Sequence, residues 1–287
     1  MSTIATRYKI DPVTRTGLET AELRELAAKI RYLLVENSHR AHAPHLGSCL
    51  SCVDILTAAY WNILNVDHTK PADPDRDRFV LSKGHGAPAL FMTLALRGFI
   101  PDADIETFGQ DGTLLGEHPG VGCAPGVEAA TGSLGHGFPM GVGMALAAKI
   151  KKQSYRVICL LSDGECNEGS TWEAAMMAPA KKLDNLMTIV DFNKWQATGR
   201  SEEILSLNPL MDKWRSFGWN AHEVDGHDID AILKLMEKLP DGSGKPVAIV
   251  AHTVKGKGIS FMEDDNNWHY RIPKEEEVQA AREELKV

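Results

Sequence analysis

The chain has 287 residues, 43% of them hydrophobic, enough to bury a substantial core, and no low-complexity segment suggests disorder. Its formal net charge of −8 argues against a nucleic-acid partner, which rewards clustered lysine and arginine. No apolar run reaches membrane-spanning length, the N-terminus MSTIATRYKIDP lacks a signal-peptide core, and an odd set of five cysteines fits a reducing cytoplasm better than a disulfide framework.

In chain order, residues 1–19 read as an irregular arm. Thr20 to Glu36 is amphipathic, with Leu23, Leu26, Ile30, Leu33 and Leu34 on one stripe, and predicts a helix. A loop with His39, His42 and His45 follows, then a helix expected from Ser51, where SCVD resembles a capping box. After the polar stretch 65–78, FVLS predicts a short strand leading into KGHGAP, and Ala87 to Arg97 a helix. Residues 109–137 are glycine-rich without periodicity, and so long an irregular span inside a compact domain usually serves function. Phe138 to Lys152 predicts a helix in which Gly141 and Gly143 permit close packing. Val157 to Leu161 and Leu186 to Val190 are apolar runs of buried-strand length, separated by a helical stretch from Thr171 to Lys182 with Glu173 in its first turn. A loop over 196–209, a short helix, a strand near 219–224, a helix from Asp228 to Lys238 and a buried strand from Val247 to His252 follow. The segment VKGKGISFMEDDNNWHY reads as a functional loop, and the charged tail from Lys274 as a solvated helix. With no repeat and no linker, this predicts one α/β domain over 1–287: an open, mostly parallel sheet with helices on both faces.

The unit from Arg156 to Trp195 is strand–helix–strand, and its right-handed crossover makes the two strands parallel. Asp163 and Asn193 then stand at the carboxyl ends of parallel strands, the edge where open α/β sheets bind ligands. A carboxylate, an amide oxygen and a nearby backbone carbonyl are hard donors, suited to Mg²⁺ or Ca²⁺ rather than zinc. Magnesium held by so few protein ligands takes the rest from water and a substrate phosphate, so the residues suggest a metal–diphosphate site. Taken alone, SDG could equally be a turn that ends a strand.

The pairing of SDG with an Asn one crossover later resembles the thiamine-diphosphate signature, and SDGECNEGSTWEA with DFNKWQATG is similar to its transketolase version. Further matches cover the chain from about Leu23 to His269: APHLGS, LSKGHGAP, GEHPG, TGSLGHG and NNWHY. The resemblance implies the thiamine-diphosphate-binding fold of the diphosphate (PP) type, with Asp163, Asn193 and the Trp195 carbonyl on the metal and the Gly164 N–H on the diphosphate. It implies that His85 reaches the diphosphate, and that Gly132 and Leu134 touch the aminopyrimidine and thiazolium portions. It places Glu168, counted among the cofactor-site residues, at a subunit interface, and gives His45, His118 and His269 the binding of substrate hydroxyls and proton shuttling, His269 also touching the cofactor. The chain departs from the family pattern at Ser162, a Ser where the family has Gly, and at Ser133 and His136, where it has Pro and Gln.

The matched region is the N-terminal part of an ordinary transketolase, without the pyrimidine-binding and C-terminal domains that supply the glutamate protonating the aminopyrimidine and the arginines gripping a sugar phosphate. The resemblance therefore implies half of a split transketolase, completed by a C-terminal-type subunit in an α₂β₂ assembly that transfers a two-carbon ketol unit between sugars or sugar phosphates. Trp195, Phe261, Met262 and Trp268 are expected to face that partner. Other thiamine-diphosphate chemistry (acyloin synthesis, 2-oxo acid decarboxylation) and a catalytically silent module are the alternatives. Two rival patterns also stand: His39, His42 and His45 with Cys49 and Cys52 as a zinc site or CLSC as a redox pair, and the lysines of HTVKGKG as phosphate grips or a solvated loop. His252 is left without a role.

Overall fold

The computed structural model describes residues 10–287. Five strands, β1 (Arg78–Leu81), β2 (Val157–Ser162), β3 (Leu186–Phe192), β4 (Asn220–Asp225) and β5 (Val247–His252), form one sheet in the order β1-β2-β3-β5-β4. The sequence predicts a mostly parallel sheet, and the four strand pairings of this sheet are all parallel. The central strands are buried on both faces, which is why they read as unbroken apolar runs rather than alternating ones.

Alternate residues of each strand feed two separate cores. Ile158 and Leu160 of β2 pack with α1 (Thr20–Ala41), α2 (Leu46–Ser51), α3 (Val53–Ala58), α4 (Ala87–Leu96) and α10 (Ile229–Met236). Val157, Cys159 and Leu161 pack on the opposite face with α6 (Gly137–Lys151), α7 (Gly169–Ala180) and α9 (Leu210–Ser216). Gly141 shows the close approach on that face: a Cβ there would lie 2.1 Å from Cys159 Sγ. Two short helices, α5 (Asp102–Glu106) and α8 (Ser201–Leu205), lie in the connections, and α11 (Glu275–Leu285) packs Val278 and Ala281 into the first core beside α1. The solvated tail helix expected from Lys274 is thus docked along one side. No helix among the described residues is long and apolar enough to cross a membrane.

Several local expectations are corrected. Residues 1–9 of the expected arm lie outside the described residues, and 10–19 are irregular. The first helix runs to Ala41, so His39 is in its last turn rather than in a loop. The next helix begins at Leu46, not Ser51: His45 takes a left-handed conformation (φ 68°) that turns the chain, and Cys52 of the supposed capping box is the joint between α2 and α3. The loop over 196–209 contains α8. Met262 and Trp268, expected at a partner-facing surface, are fully buried in the first core, the Trp268 indole donating to the Phe261 carbonyl at 3.2 Å. Phe261 remains 36% exposed, and Trp195 is half-buried beneath the Arg200 guanidinium, 3.8 Å from its ring centroid.

Candidate functional site

Each strand carboxyl end delivers a polar residue to the same edge. Asp163 follows β2 and is 1% exposed. Its carboxylate accepts from the N–H of Gly164 (2.9 Å), the N–H of Lys194 (3.1 Å) and the Ser201 hydroxyl (2.7 Å), which fix its orientation from three directions. Burial raises its pKa to about 6, with the nearby Asp191 adding to the rise, so the carboxylate is ionised at neutral pH. Asn193 follows β3, its Oδ1 accepting from the Trp195 N–H (3.0 Å) and its Nδ2 donating to Ser51 Oγ (3.4 Å). Ser162, the Ser where the resemblance expects Gly, ends β2 in ordinary extended backbone, which is why a side chain is tolerated there.

Asp163, Gly164, Asn193 and Trp195 line one cleft of about 310 Å³ together with His45, His85, His118, Gly132, Leu134 and His269. The histidines are neighbours: from the His45 ring the centroids of His85, His118 and His269 lie 5.7, 6.1 and 4.7 Å away. The glycine-rich loop closes against them, since a Cβ on Gly132 (φ +146°) would lie 2.7 Å from His118 Cδ2. That loop is held from beneath by the buried Glu165 carboxylate, which accepts from the Gly135 N–H (3.2 Å), the Ser162 N–H (3.0 Å) and the Ser82 hydroxyl. Of the candidate residues, Glu168 alone lies outside the cleft, exposed at the N-cap of α7.

Burial first, and neighbouring charge second, set the protonation states. Burial, then the neighbouring His118 and the ammonium groups of Lys255 and Lys83, pulls the His45 pKa down to about 4; burial and Lys255 pull His269 to about 3, and burial and Lys83 hold His85 well below the usual range. These imidazoles are neutral at pH 7, each able to donate from one nitrogen and accept at the other. Lys83 is fully buried in an ion pair with Asp191, whose carboxylate also accepts from Ser51 (2.6 Å) and Thr253, and it donates to the Ser48 carbonyl (2.8 Å). Lys255 is equally buried, yet its partners, Asn266 Oδ1 (2.7 Å) and His269 Nδ1 (3.0 Å), are both neutral. Burial lowers its pKa to about 8.

The polar lining of the cleft is chemically suited to an anion such as a diphosphate. An ammonium buried without a carboxylate partner is costly unless an anion joins it. His45 Nδ1, Ser162 Oγ and Gln196 Nε2, three buried polar atoms of the lining residues, have no hydrogen-bond partner among the described residues. One carboxylate, one amide and a backbone carbonyl leave the remaining coordination to water and phosphate oxygens. Among the described residues no three His, Cys, Asp or Glu side chains gather as a metal site: His39 turns to the Pro273 carbonyl (2.8 Å), and Cys49 and Cys52 are buried, burial raising their thiols to about 12 and about 11. Buried thiols held in the protonated form are poor nucleophiles, which argues against CLSC as a redox pair.

Lys83, Ser48 and Gln196 are site residues that sequence reading missed, and Lys255 entered it only as one of the HTVKGKG lysines, phosphate grips or a solvated loop. The lysines lie inside motifs already singled out, SKGHG and VKGKG, and flanking glycines were the available signal. Replacing Lys255 with Met should stabilise the cofactor-free chain at pH 7 by about 1 kcal/mol, because relieving roughly 3 kcal/mol of buried-charge cost outweighs two hydrogen bonds to neutral groups. The sign follows from a native pKa below the unfolded value: native Lys255 sheds its proton first, so the wild type gains on the variant between pH 8 and 10.5. Urea unfolding of both proteins at pH 7 and 10 checks this; a variant less stable at pH 7, with a gap insensitive to pH, would refute it.

Comparison with known proteins gives one consistent result. Residues 23–287 match the family described as "Transketolase, thiamine diphosphate binding domain". The chain is 43% identical over 268 residues to an apulose-4-phosphate transketolase subunit of Phocaeicola vulgatus, covering 93% of this chain and 94% of that protein. It is 41% identical to the 6-deoxy-6-sulfo-D-fructose transketolase subunit SqwG of a Clostridium species, covering 92% of this chain and 96% of that one. Among solved structures, transketolase from Campylobacter jejuni superposes with a TM-score of 0.88 at 30% identity, over 94% of this chain but 43% of that enzyme. The chain thus spans nearly the length of the subunit relatives and less than half of the Campylobacter jejuni transketolase chain.

Proposed function

The chain belongs to the thiamine-diphosphate-binding domain family of transketolases, and we propose that it is the N-terminal subunit of a two-component transketolase. The reaction is transfer of a two-carbon ketol unit from a ketose, or its phosphate, to an aldose. The observation that carries this reading is the meeting, in one cleft, of the Asp163–Asn193–Trp195 donor set with four histidines.

Asp163, Asn193 and the Trp195 carbonyl would hold Mg²⁺, with Ca²⁺ also suited to the donors, and His85 with the Gly164 N–H would hold the diphosphate. Lys255 and Lys83 supply positive charge beneath it. Bound there, thiamine diphosphate supplies the carbanion chemistry that side chains lack. Gly132 and Leu134, which line the same cleft, would contact its rings. His45, His118 and His269 hydrogen-bond the hydroxyls of a polyol and move protons at them, and His45 and His269, being neutral, can either donate or accept. Glu168, outside the cleft and exposed, fits a contact with another subunit.

The groups needed to protonate the aminopyrimidine and grip a sugar phosphate belong to a C-terminal-type partner, carrying the pyrimidine-binding and C-terminal domains, in an α₂β₂ assembly. The chain is read as one domain working in the cytoplasm. A direct test is equilibrium dialysis with thiamine diphosphate, thiamine monophosphate and thiamine, with Mg²⁺ or with EDTA. The diphosphate should bind at least about tenfold tighter with Mg²⁺ than with EDTA, and thiamine should show no such difference. Equal retention of all three would count against a metal–diphosphate site.

A further inference from the structure

One buried ionic cluster plays no part in the cleft described above. The Asp54 carboxylate of α3, 5% exposed, accepts from Arg31 Nη2 of α1 at 2.6 Å and lies 2.8 Å from Nδ1 of His227, in the loop after β4. The other ring nitrogen of His227, Nε2, accepts the backbone N–H of Val254 at 2.9 Å. A nitrogen that accepts a hydrogen bond carries no proton, so the proton of His227 is on Nδ1 and points at Asp54. Arg31 uses its Nε on the carbonyl of Lys257 at 2.9 Å. Both ends of the turn from Val254 to Lys257 are therefore tied to one carboxylate, through an imidazole at one end and a guanidinium at the other. The turn has little other room: Gly256 (φ +78°) donates to the Gly47 carbonyl at 2.9 Å, and a Cβ on it would lie 2.1 Å from the Met262 carbonyl oxygen. Between the tied ends Lys255 points the opposite way, its ammonium on Asn266 and on His269 Nδ1.

We propose that Asp54, His227 and Arg31 are positioning residues: they clamp the 254–257 turn so that Lys255 donates to His269 Nδ1 and keeps the His269 proton on Nε2. The inference rests on the reading of His269 as a residue that meets substrate and cofactor, but its primary readout does not. A cluster that only held the fold together would affect stability without setting the tautomer of a histidine on another loop. Substituting His227 with Ala removes the acceptor for the Val254 N–H and frees one end of the turn. Substituting it with Gln leaves an amide oxygen close to the position of Nε2, able to accept the same N–H. An Asn is too short to reach it.

The test is long-range ¹H–¹⁵N correlation of histidine-labelled, cofactor-free chain, paired with turnover of the complex reconstituted with its partner. In the wild type, His227 should show the Nδ1–H tautomer and His269 the Nε2–H tautomer. His227→Ala should turn His269 into a tautomer mixture and lower kcat about tenfold or more with donor KM nearly unchanged. His227→Gln should keep the Nε2–H tautomer and most of the activity. If the Ala variant does not fold, His227→Asn against His227→Gln makes the same comparison. A native His269 tautomer in the Ala or Asn variant overturns the proposal. Absence of ketol transfer by the wild-type complex would overturn the enzymatic reading instead, and the tautomers would still decide this one.

Discussion

Asp163→Ala should reduce thiamine-diphosphate-dependent ketol transfer by the reconstituted complex at least about a thousandfold, a loss of some 4 kcal/mol in transition-state stabilisation. Asp163 is the one charged donor of the candidate metal set; Asn193 and the Trp195 carbonyl are neutral. Without it, Mg²⁺ would have to be held by two neutral oxygens, water and phosphate. The fold should survive. A carboxylate whose pKa burial has raised to about 6 is costly to keep ionised at pH 7, and removing it offsets part of the loss of its bonds to Gly164, Lys194 and Ser201. Turnover, urea unfolding and Mg²⁺-dependent cofactor retention, measured together, separate the outcomes. Undiminished activity would remove the metal assignment, and activity lost together with the fold would show that Asp163 is structural.

The second large effect concerns stability. Lys83→Met should destabilise the chain by about 3–5 kcal/mol, because it strands the Asp191 carboxylate, 0% exposed, with the hydroxyls of Ser51 and Thr253 but without a cation. Burial pulls the Lys83 pKa down, but the charge and hydrogen bond of Asp191, with the neighbouring Cys52 and Cys49, together push it up, so this ammonium is charged at every working pH. The double variant Lys83→Met with Asp191→Leu should recover most of the loss, since a well-packed apolar pair is often as stable as the ion pair it replaces. Urea denaturation of the wild type and both variants tests this. A double variant no more stable than the single one would mean that the hydrogen bonds to Asp191, not its charge, carry the stability. The double variant should still lose activity, because Ser51 anchors both Asp191 and Asn193.

Much of this was legible in the sequence, and the reasons are local. A buried parallel strand must be apolar on both faces, so Val157 to Leu161 and Leu186 to Val190 declare themselves, and the residues after them fall on the ligand edge. Histidines beside glycine or proline mark loops, and three such, His45, His85 and His118, do converge, joined by His269 between Trp268 and Tyr270. Long-range pairing was not legible. Nothing in SKGHG says that its lysine passes beneath the sheet edge to Asp191, and nothing in VKGKG says that its first lysine is buried while Lys257 makes a half-exposed pair with Glu263. Trp268 stands among polar residues, EDDNNWHY, and its neighbours suggested exposure; tertiary packing covers it, with Arg271 over its ring at 4.3 Å. The start of α2 was missed because it depends on a left-handed His45, a conformation that composition does not announce for a non-glycine residue.

If this chain is one half of an enzyme, ketol transfer is the reaction that will show it. The purified chain, supplied with thiamine diphosphate and Mg²⁺, is assayed with ketose donors and aldose acceptors, alone and after addition of the C-terminal-type subunit that co-purifies with a tagged copy. The chain alone should give no transfer, and transfer should saturate as the two subunits reach equal amounts. Transfer by the chain alone, or a stoichiometric complex that binds cofactor yet never transfers a ketol unit, would contradict the split-enzyme reading.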